Sequence, residues 1–263
     1  MKALKLGLLC LLTLCFSGCF EMNEEIAIDN NGGGDYTVDM DMGKMMEMMQ
    51  AFIPPDQAKN LEKARDTTIQ MKDFFDTAGN LSADKKALLR DGSLRMQMNM
   101  ADKLFKLNMK YPFKNTADLQ KLYGTLGEAG SGMGSLLKSL NPGGGASSPA
   151  GMGQPDMKMI SSYFDLVTNK NTISRKLNKE RYATLADDQM MQQIKQMGEM
   201  GGGAMGGGVG EVKMNTMIKL PTPAKSITGG KAELSSDKKI VIIKNNLMDI
   251  FAHPEVFEFS VEY

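Results

Sequence analysis

Apolar and polar positions alternate with a period of two over several stretches of the chain, and shift to a spacing of three and four over others. Ile26 and Ile28 alternate with polar neighbours up to Asn30-Asn31-Gly32-Gly33-Gly34, and Tyr36, Val38, Met40 and Met42 alternate with Thr37, Asp39 and Asp41 beyond it. Two period-two runs about an Asn/Gly turn predict a β-hairpin with one buried face. The clearest second hairpin joins Leu94, Met96, Met98 and Met100 to Phe105, Leu107, Met109 and Tyr111 across Ala101-Asp102-Lys103, apolar on one side, basic and amide on the other. A third joins Tyr163–Thr168 to Thr172–Leu177 around Asn169-Lys170-Asn171.

Helical spacing appears between these hairpins. A Met-rich stretch (Met45, Met46, Met48, Met49, Phe52) ends at Pro54-Pro55. From Asp56 to about Ala78, Leu61, Ala64, Thr68, Met71, Phe75 and Ala78 fall on one helical face. Ser82 is placed to cap a short helix that stops at Asp91-Gly92. Asn115 or Thr116 caps another, with Leu119, Leu122, Tyr123 and Leu126 inward, and Asn178 caps a helix predicted from Lys179 to about Met200. The tail reads as strand throughout: Val212 to Leu220, Ala232 to Leu234, Ile240 to Lys244, and Phe257, Phe259, Val261 and Tyr263 up to the last residue. A chain that ends on aromatic alternation is expected to be tied into a sheet. The stretches 127–154 and 201–210 are rich in Gly, Ser, Pro and Ala, bury too little apolar surface to offset their ordering entropy, and are expected to be flexible inserts.

The first nineteen residues set the address. Lys2 and Lys5 precede an apolar run, Leu6 to Phe16, interrupted by Gly7 and Thr13, and Ser17-Gly18 lead directly into Cys19. The run is shorter than the roughly 20 apolar residues a membrane-spanning helix needs, and matches the core of a signal peptide. Ser-Gly-Cys resembles the bacterial lipobox, with Phe16 in place of the commoner Leu. That resemblance implies a diacylglyceryl group on the Cys19 thiol, cleavage after residue 18, and acylation of the new amine. Two or three chains make a stable anchor, since each buried methylene is worth about 0.8 kcal/mol. The remaining cysteines, Cys10 and Cys15, leave with the leader, so the mature chain has neither a disulfide nor a thiol nucleophile.

Charge excludes more than it suggests. Loss of Lys2 and Lys5 takes the basic residues from 31 to 29 against 31 acidic ones, which argues against nucleic acid as a partner. Glu21, Glu24, Glu25, Asp29, Asp35, Asp39 and Asp41 come before any basic residue of the mature chain. They read equally as a signal for export to the cell surface, which their position after the cysteine resembles, or as a solvated strand edge. Asp29–Asp35 is not an EF-hand loop, because Gly33 and Met40 stand where ligands belong.

Catalytic chemistry finds no foothold. His253 is the one histidine and no nucleophile elbow accompanies it. Several Cys or His ligands, as zinc requires, are missing. Neither glycine tract is followed by the Lys-Ser/Thr of a phosphate loop. The 25 methionines could in principle offer thioethers to Cu(I), but Met96, Met98 and Met100 face inward on a predicted strand, where Met serves as adaptable core filling.

With the lipobox, the hairpin from Ile26 to Met42 and the closing run from Met217-Ile218-Lys219-Leu220-Pro221 to Tyr263, the layout resembles uncharacterised lipoproteins of Gram-negative bacteria. More distantly it is similar to the mycobacterial LppM-type lipoprotein domain, which implies a curved sheet gripping a helix and binding of lipid or glycolipid, with no catalytic residues to carry over. The expected fold is α+β: a mostly antiparallel β-sheet with hairpin–helix units packed on one face, in one envelope domain spanning 19–263 after a leader of 1–18. The expected function is that of a non-enzymatic lipoprotein anchored through Cys19 in the outer membrane, on its periplasmic or surface face, binding an envelope protein or supporting an assembly, without metal, cofactor or nucleic acid. The alternative is a carrier of lipid or another apolar ligand, and a carboxylate hydrolase comes third. An apolar pocket of several hundred Å³ would favour the carrier, an exposed apolar patch the partner-binding protein, and converging carboxylates in a cleft the enzyme.

Overall fold

The structure, a computed structural model, describes residues 20–43, 64–75, 82–99, 101–128, 160–188, 191–192, 195–196 and 212–263. The leader, Cys19, the Met45–Phe52 stretch, most of 127–154 and all of 201–210 lie outside the described residues.

The alternating segments form two sheets. The larger takes β1 (Phe20–Ile28), β2 (Gly34–Asp41), β3 (Arg65–Gln70), β4 (Ser93–Asn99), β5 (Leu104–Phe113), β8 (Val212–Lys219), β10 (Ala232–Leu234) and β11 (Ile240–Asn246), in the order β10-β11-β8-β1-β2-β5-β4-β3. The smaller takes β6 (Phe164–Asn169), β7 (Thr172–Leu177), β9 (Ser226–Thr228) and β12 (Phe259–Glu262), in the order β6-β7-β12-β9. Every pairing is antiparallel except β1 with β8, which brings the start of the described chain beside a segment nearly two hundred residues later. The fold is α+β, as the pattern predicts, with two sheets where one was expected.

All three predicted hairpins form. In the first, Ile26 stands opposite Tyr36 and Met22 opposite Met40, and Asp29 Oδ1 accepts from the backbone N–H groups of Asn31 (2.7 Å) and Gly33 (3.0 Å), so the acidic residue closes a turn. Gly34, at φ +152°, is required there: a Cβ would lie 1.8 Å from the Ala27 carbonyl oxygen. The inner faces carry Met22, Ile26, Tyr36, Val38, Met40, Leu94, Met96, Leu107, Met109, Tyr111, Met214 and Ile218, all buried in one core that also takes in the second sheet through Phe164, Ile173, Phe259 and Val261. Met22, Met96, Met109 and Met214 are thus core residues; burying a side chain of this size is worth about 1.5–3 kcal/mol. The chain end is held as expected, Tyr263 N–H donating to the Asn171 carbonyl at 2.9 Å.

Four helices are labelled α1 (Met71–Phe75), α2 (Ala83–Leu89), α3 (Thr116–Glu128) and α4 (Lys179–Tyr182). Helix α3 packs against β5 and β6, with Asn115 Oδ1 accepting from Asp118 N–H at 2.9 Å as its cap. Four expectations are corrected. Within Asp56–Ala78 the described residues are strand from Arg65 to Gln70, because β-branched Thr67, Thr68 and Ile69 complete the edge of the sheet beside β4, and helix from Met71 to Phe75, with Met71 and Phe75 buried. The helix expected over Lys179–Met200 is α-helical to Tyr182, tightens to a 3-10 turn over Ala183–Asp187 and stops at Asp188, whose carboxylate accepts from Tyr163 Oη (2.5 Å) and from Met191 N–H (3.0 Å). Gly127 and Glu128, placed in the expected insert, belong to α3, and Ser162 Oγ donates to the Gly127 carbonyl at 2.9 Å. In the tail, Leu247–Phe251 and Pro254–Phe257 are 3-10 turns, although Phe257 keeps the inward position the alternation gave it. Ser82 stands at the N-terminus of α2, but its hydroxyl makes no capping bond.

Candidate functional site

The acidic run after Cys19 is not a strand edge, since β1 lies between β8 and β2 inside the larger sheet. Its outward residues meet cross-strand partners: Glu25 pairs with Lys219 (2.8 Å), Asp35 with Lys110 (3.0 Å), Asp41 with Lys106 (3.2 Å), and Asp39 accepts from Asn108 at 2.5 Å. Glu24 points inward and is buried. Arg175, on β7 of the smaller sheet, reaches it with Nη1 at 2.6 Å, both side chains being almost wholly enclosed (1% and 3% exposed). Arg175 also donates from Nη2 to Thr216 Oγ1 (3.1 Å) and from Nε to the Phe257 carbonyl (2.8 Å). The other carboxylate oxygen of Glu24 accepts from Tyr36 Oη at 2.9 Å, and Thr216 Oγ1 donates to Oε2 at 3.0 Å. Phe259 and Phe164 present their ring faces to the guanidinium at 4.9 and 5.7 Å.

This cluster links the sheets. Burial, the largest single influence, opposes the Arg175 charge, but Glu24 together with Tyr123 and Tyr36 outweighs it and holds the guanidinium above its ordinary range. Burial, reinforced by Glu24, pushes the Tyr36 hydroxyl well above the usual tyrosine range. With its charges satisfied inside and closed to solvent, the cluster offers a ligand nothing. No sequence motif marked it; Arg175 simply occupies an inward position of a strand where an apolar residue was the default.

A groove of about 830 Å³ opens at one end of the larger sheet. The register places its walls: Glu21 of β1 stands beside Lys213 of β8, which stands beside Asn246 of β11. Two residues further on, Asn23, Asn215 and Lys244 form the next outward row. Between them Asn245 shares the inward row with Met22 and Met214. Gly230 and Lys231, and Asp249, Glu255 and Val256 of the 3-10 turns, complete the lining. Several groups have committed bonds. Glu21 Oε1 accepts from Asn23 and Asn215 (both 3.2 Å), Lys244 pairs with Glu233 (2.9 Å), and Asn246 Oδ1 accepts from Met248 N–H (3.0 Å). Lys213, Lys231 and the Asp249 carboxylate have no partner among the described residues, and Asn245 Nδ2 is buried without an acceptor. A size of this order is that of a small-molecule site, and apart from Gly230 and Val256 the residues that line it carry charged or amide side chains.

Cys19, the site residue read from sequence, lies outside the described residues, but its neighbour Phe20 is the first residue of β1. His253 is exposed, with Nδ1 3.3 Å from Glu255 Oε1. Leu234 is the one large apolar side chain exposed among the described residues, so no apolar patch forms there. No helix among them is long and apolar enough to cross a membrane. The sequence could have pointed to the groove only through the Asn245-Asn246 pair and the polar positions opening β1 and β8, which read equally well as ordinary outward strand residues.

No family model and no curated protein matches the chain. The folded domain of Mycobacterium tuberculosis LppM, solved by NMR, aligns with 94% of this chain and 92% of its own at 10% identity and a TM-score of 0.37, a degree of similarity that carries neither fold nor ligand across.

Proposed function

We propose that this chain is a non-enzymatic lipoprotein of the cell envelope, held at the outer membrane by acyl chains on Cys19, and that the mixed-charge groove is its binding surface. The observation that carries the reading is the position of the groove. Its strand residues occupy the first rows after Phe20, and at about 3.3 Å per residue they stand within about 10 Å of the point where the anchor joins the sheet. A binding surface there works where the protein is tethered.

The groove suits a polar partner better than the apolar cargo of a carrier, for Val256 is the one bulky apolar side chain in its wall. Its wall holds carboxylates, lysines and amides, with no hydroxyl, thiol or imidazole to act as nucleophile or relay, which favours binding over turnover. The test is the mass of the amino-terminal peptide of protein taken from its own membranes. A peptide beginning at Cys19 and carrying two or three acyl chains is expected, and a Cys19→Ala chain is expected to leave the membrane fraction. An unmodified Cys19, or an intact leader, would overturn the reading.

A further inference from the structure

Within that reading, we infer that the groove binds a zwitterionic headgroup with a phosphate and a primary ammonium, as an aminophospholipid of the membrane that holds the anchor presents. The wall carries Lys213, Lys231 and Lys244 against Glu21, Asp249 and Glu255, an even balance of charge. A purely anionic ligand meets three carboxylates, and a purely cationic one meets three lysines; a ligand with both signs is complementary to all six. The groups still free divide the same way. Lys213 and Lys231 supply uncommitted cations, which fit phosphate oxygens.

The Asp249 carboxylate, uncommitted as well, is the matching acceptor for an ammonium. A primary amine fits better than a quaternary one: methylated ammonium is held by aromatic rings, and the groove wall contains none. Location selects the source. The rows Glu21–Lys213–Asn246 and Asn23–Asn215–Lys244 follow closely on the Phe20–Val212 row where the chain enters the sheet, so a lipid beside the anchor brings its headgroup to them at high effective concentration.

The purified full-length protein, in a maltoside detergent free of phosphate, is titrated with glycerophosphoethanolamine, glycerophosphocholine and glycerol 3-phosphate by isothermal calorimetry. Glycerophosphoethanolamine is expected to bind at least about tenfold more tightly than either of the others. Lys213→Ala and Asp249→Asn are each expected to weaken it about tenfold with the thermal midpoint unchanged, as exposed or half-exposed positions allow. Equal affinity for all three compounds, no binding, or variants that bind like the parent would overturn the inference. Native mass spectrometry from nanodiscs of mixed phosphatidylethanolamine and phosphatidylglycerol then tests the source: one retained phosphatidylethanolamine, lost in Lys213→Ala, supports it. Binding of the soluble compound with no retained lipid would assign the groove to a free zwitterion and overturn the membrane source. The mass of the Cys19 peptide reports the anchor separately, so failure of one reading leaves the other visible.

Discussion

Arg175 with Glu24 and Arg95 with Asp66 are both arginine–carboxylate pairs with a shortest contact of 2.6 Å. The first joins two sheets, its side chains 1% and 3% exposed, and is separated by 151 residues of sequence. The second lies between the edge strand β3 and its neighbour β4, with both side chains half exposed. Arg95 binds Asp66 with two nitrogens, Nε at 2.8 Å and Nη2 at 2.6 Å, a better fork than the interior pair has. Contact geometry therefore does not rank them; desolvation does. A surface pair works against water and salt and contributes little. An interior pair has already lost its water, so each partner depends on the other, and on Thr216, Tyr36 and the Phe257 carbonyl, to remain charged. Such a pair specifies how the two sheets meet more than it adds net stability.

The largest effect expected follows from that dependence. Arg175→Met leaves the Glu24 carboxylate buried beside a thioether, and a loss of about 3–5 kcal/mol is expected in denaturant unfolding. Adding Glu24→Leu to it should recover at least half of that loss, although Tyr36 and Thr216 would lose their acceptor. A double variant as unstable as Arg175→Met alone would show that packing around the guanidinium, rather than the uncompensated charge, sets the cost.

Alkaline titration separates interior from surface on another scale. All six tyrosines, Tyr36, Tyr111, Tyr123, Tyr163, Tyr182 and Tyr263, titrate above the ordinary range because burial disfavours the phenolate, with Glu24 adding to it at Tyr36 and the hydrogen bond to Asp188 at Tyr163. A hydroxyl whose folded pKa exceeds its unfolded value of about 10 contributes stability that is whole below that pH and is lost as pH rises through the folded value. Phenolate absorbance should thus show no step near pH 10 ahead of unfolding, and then rise together with loss of the folded signal. A tyrosine ionising freely at about pH 10 in the folded protein would break the contrast.

The same contrast explains how far the sequence could be read. Alternation places one face inward, and that sufficed for the hairpins at Ile26–Met42, Leu94–Tyr111 and Tyr163–Leu177 and for the α+β class. Register between distant segments leaves no local mark, so the parallel pairing of β1 with β8, which builds the groove, was invisible, as was the division into two sheets. Glu24 in a run of acidic residues looked solvated; only Arg175 on a strand far along the chain makes its burial possible. Helical spacing misled at Thr68, where the edge of a neighbouring strand outcompeted local propensity, and at Asp188, where a buried tyrosine hydroxyl recruited the side chain. The reading of Cys19 rests on a chemical motif rather than on a fold signal, and Cys19 lies outside the described residues.

The smallest effect is the sharpest control. The hydrogen bonds from Arg95, with help from Gln97, hold the Asp66 carboxyl below the usual aspartate range. A carboxyl with a depressed folded pKa contributes only above its unfolded value of about 3.9, and the contribution fades as pH falls through the folded one. Arg95→Met should therefore unfold like the parent at neutral pH, while the Asp66 titration followed by NMR moves up toward the ordinary value. Raising salt from about 0.1 to about 1 M, which shortens the screening length from about 10 to about 3 Å, should move Asp66 of the parent in the same direction. The deficit of Arg175→Met should not respond to that salt, because ions do not enter the space between the sheets. If the two variants respond alike, burial is not what distinguishes the pairs, and the interior cluster must be reassigned as one more surface contact.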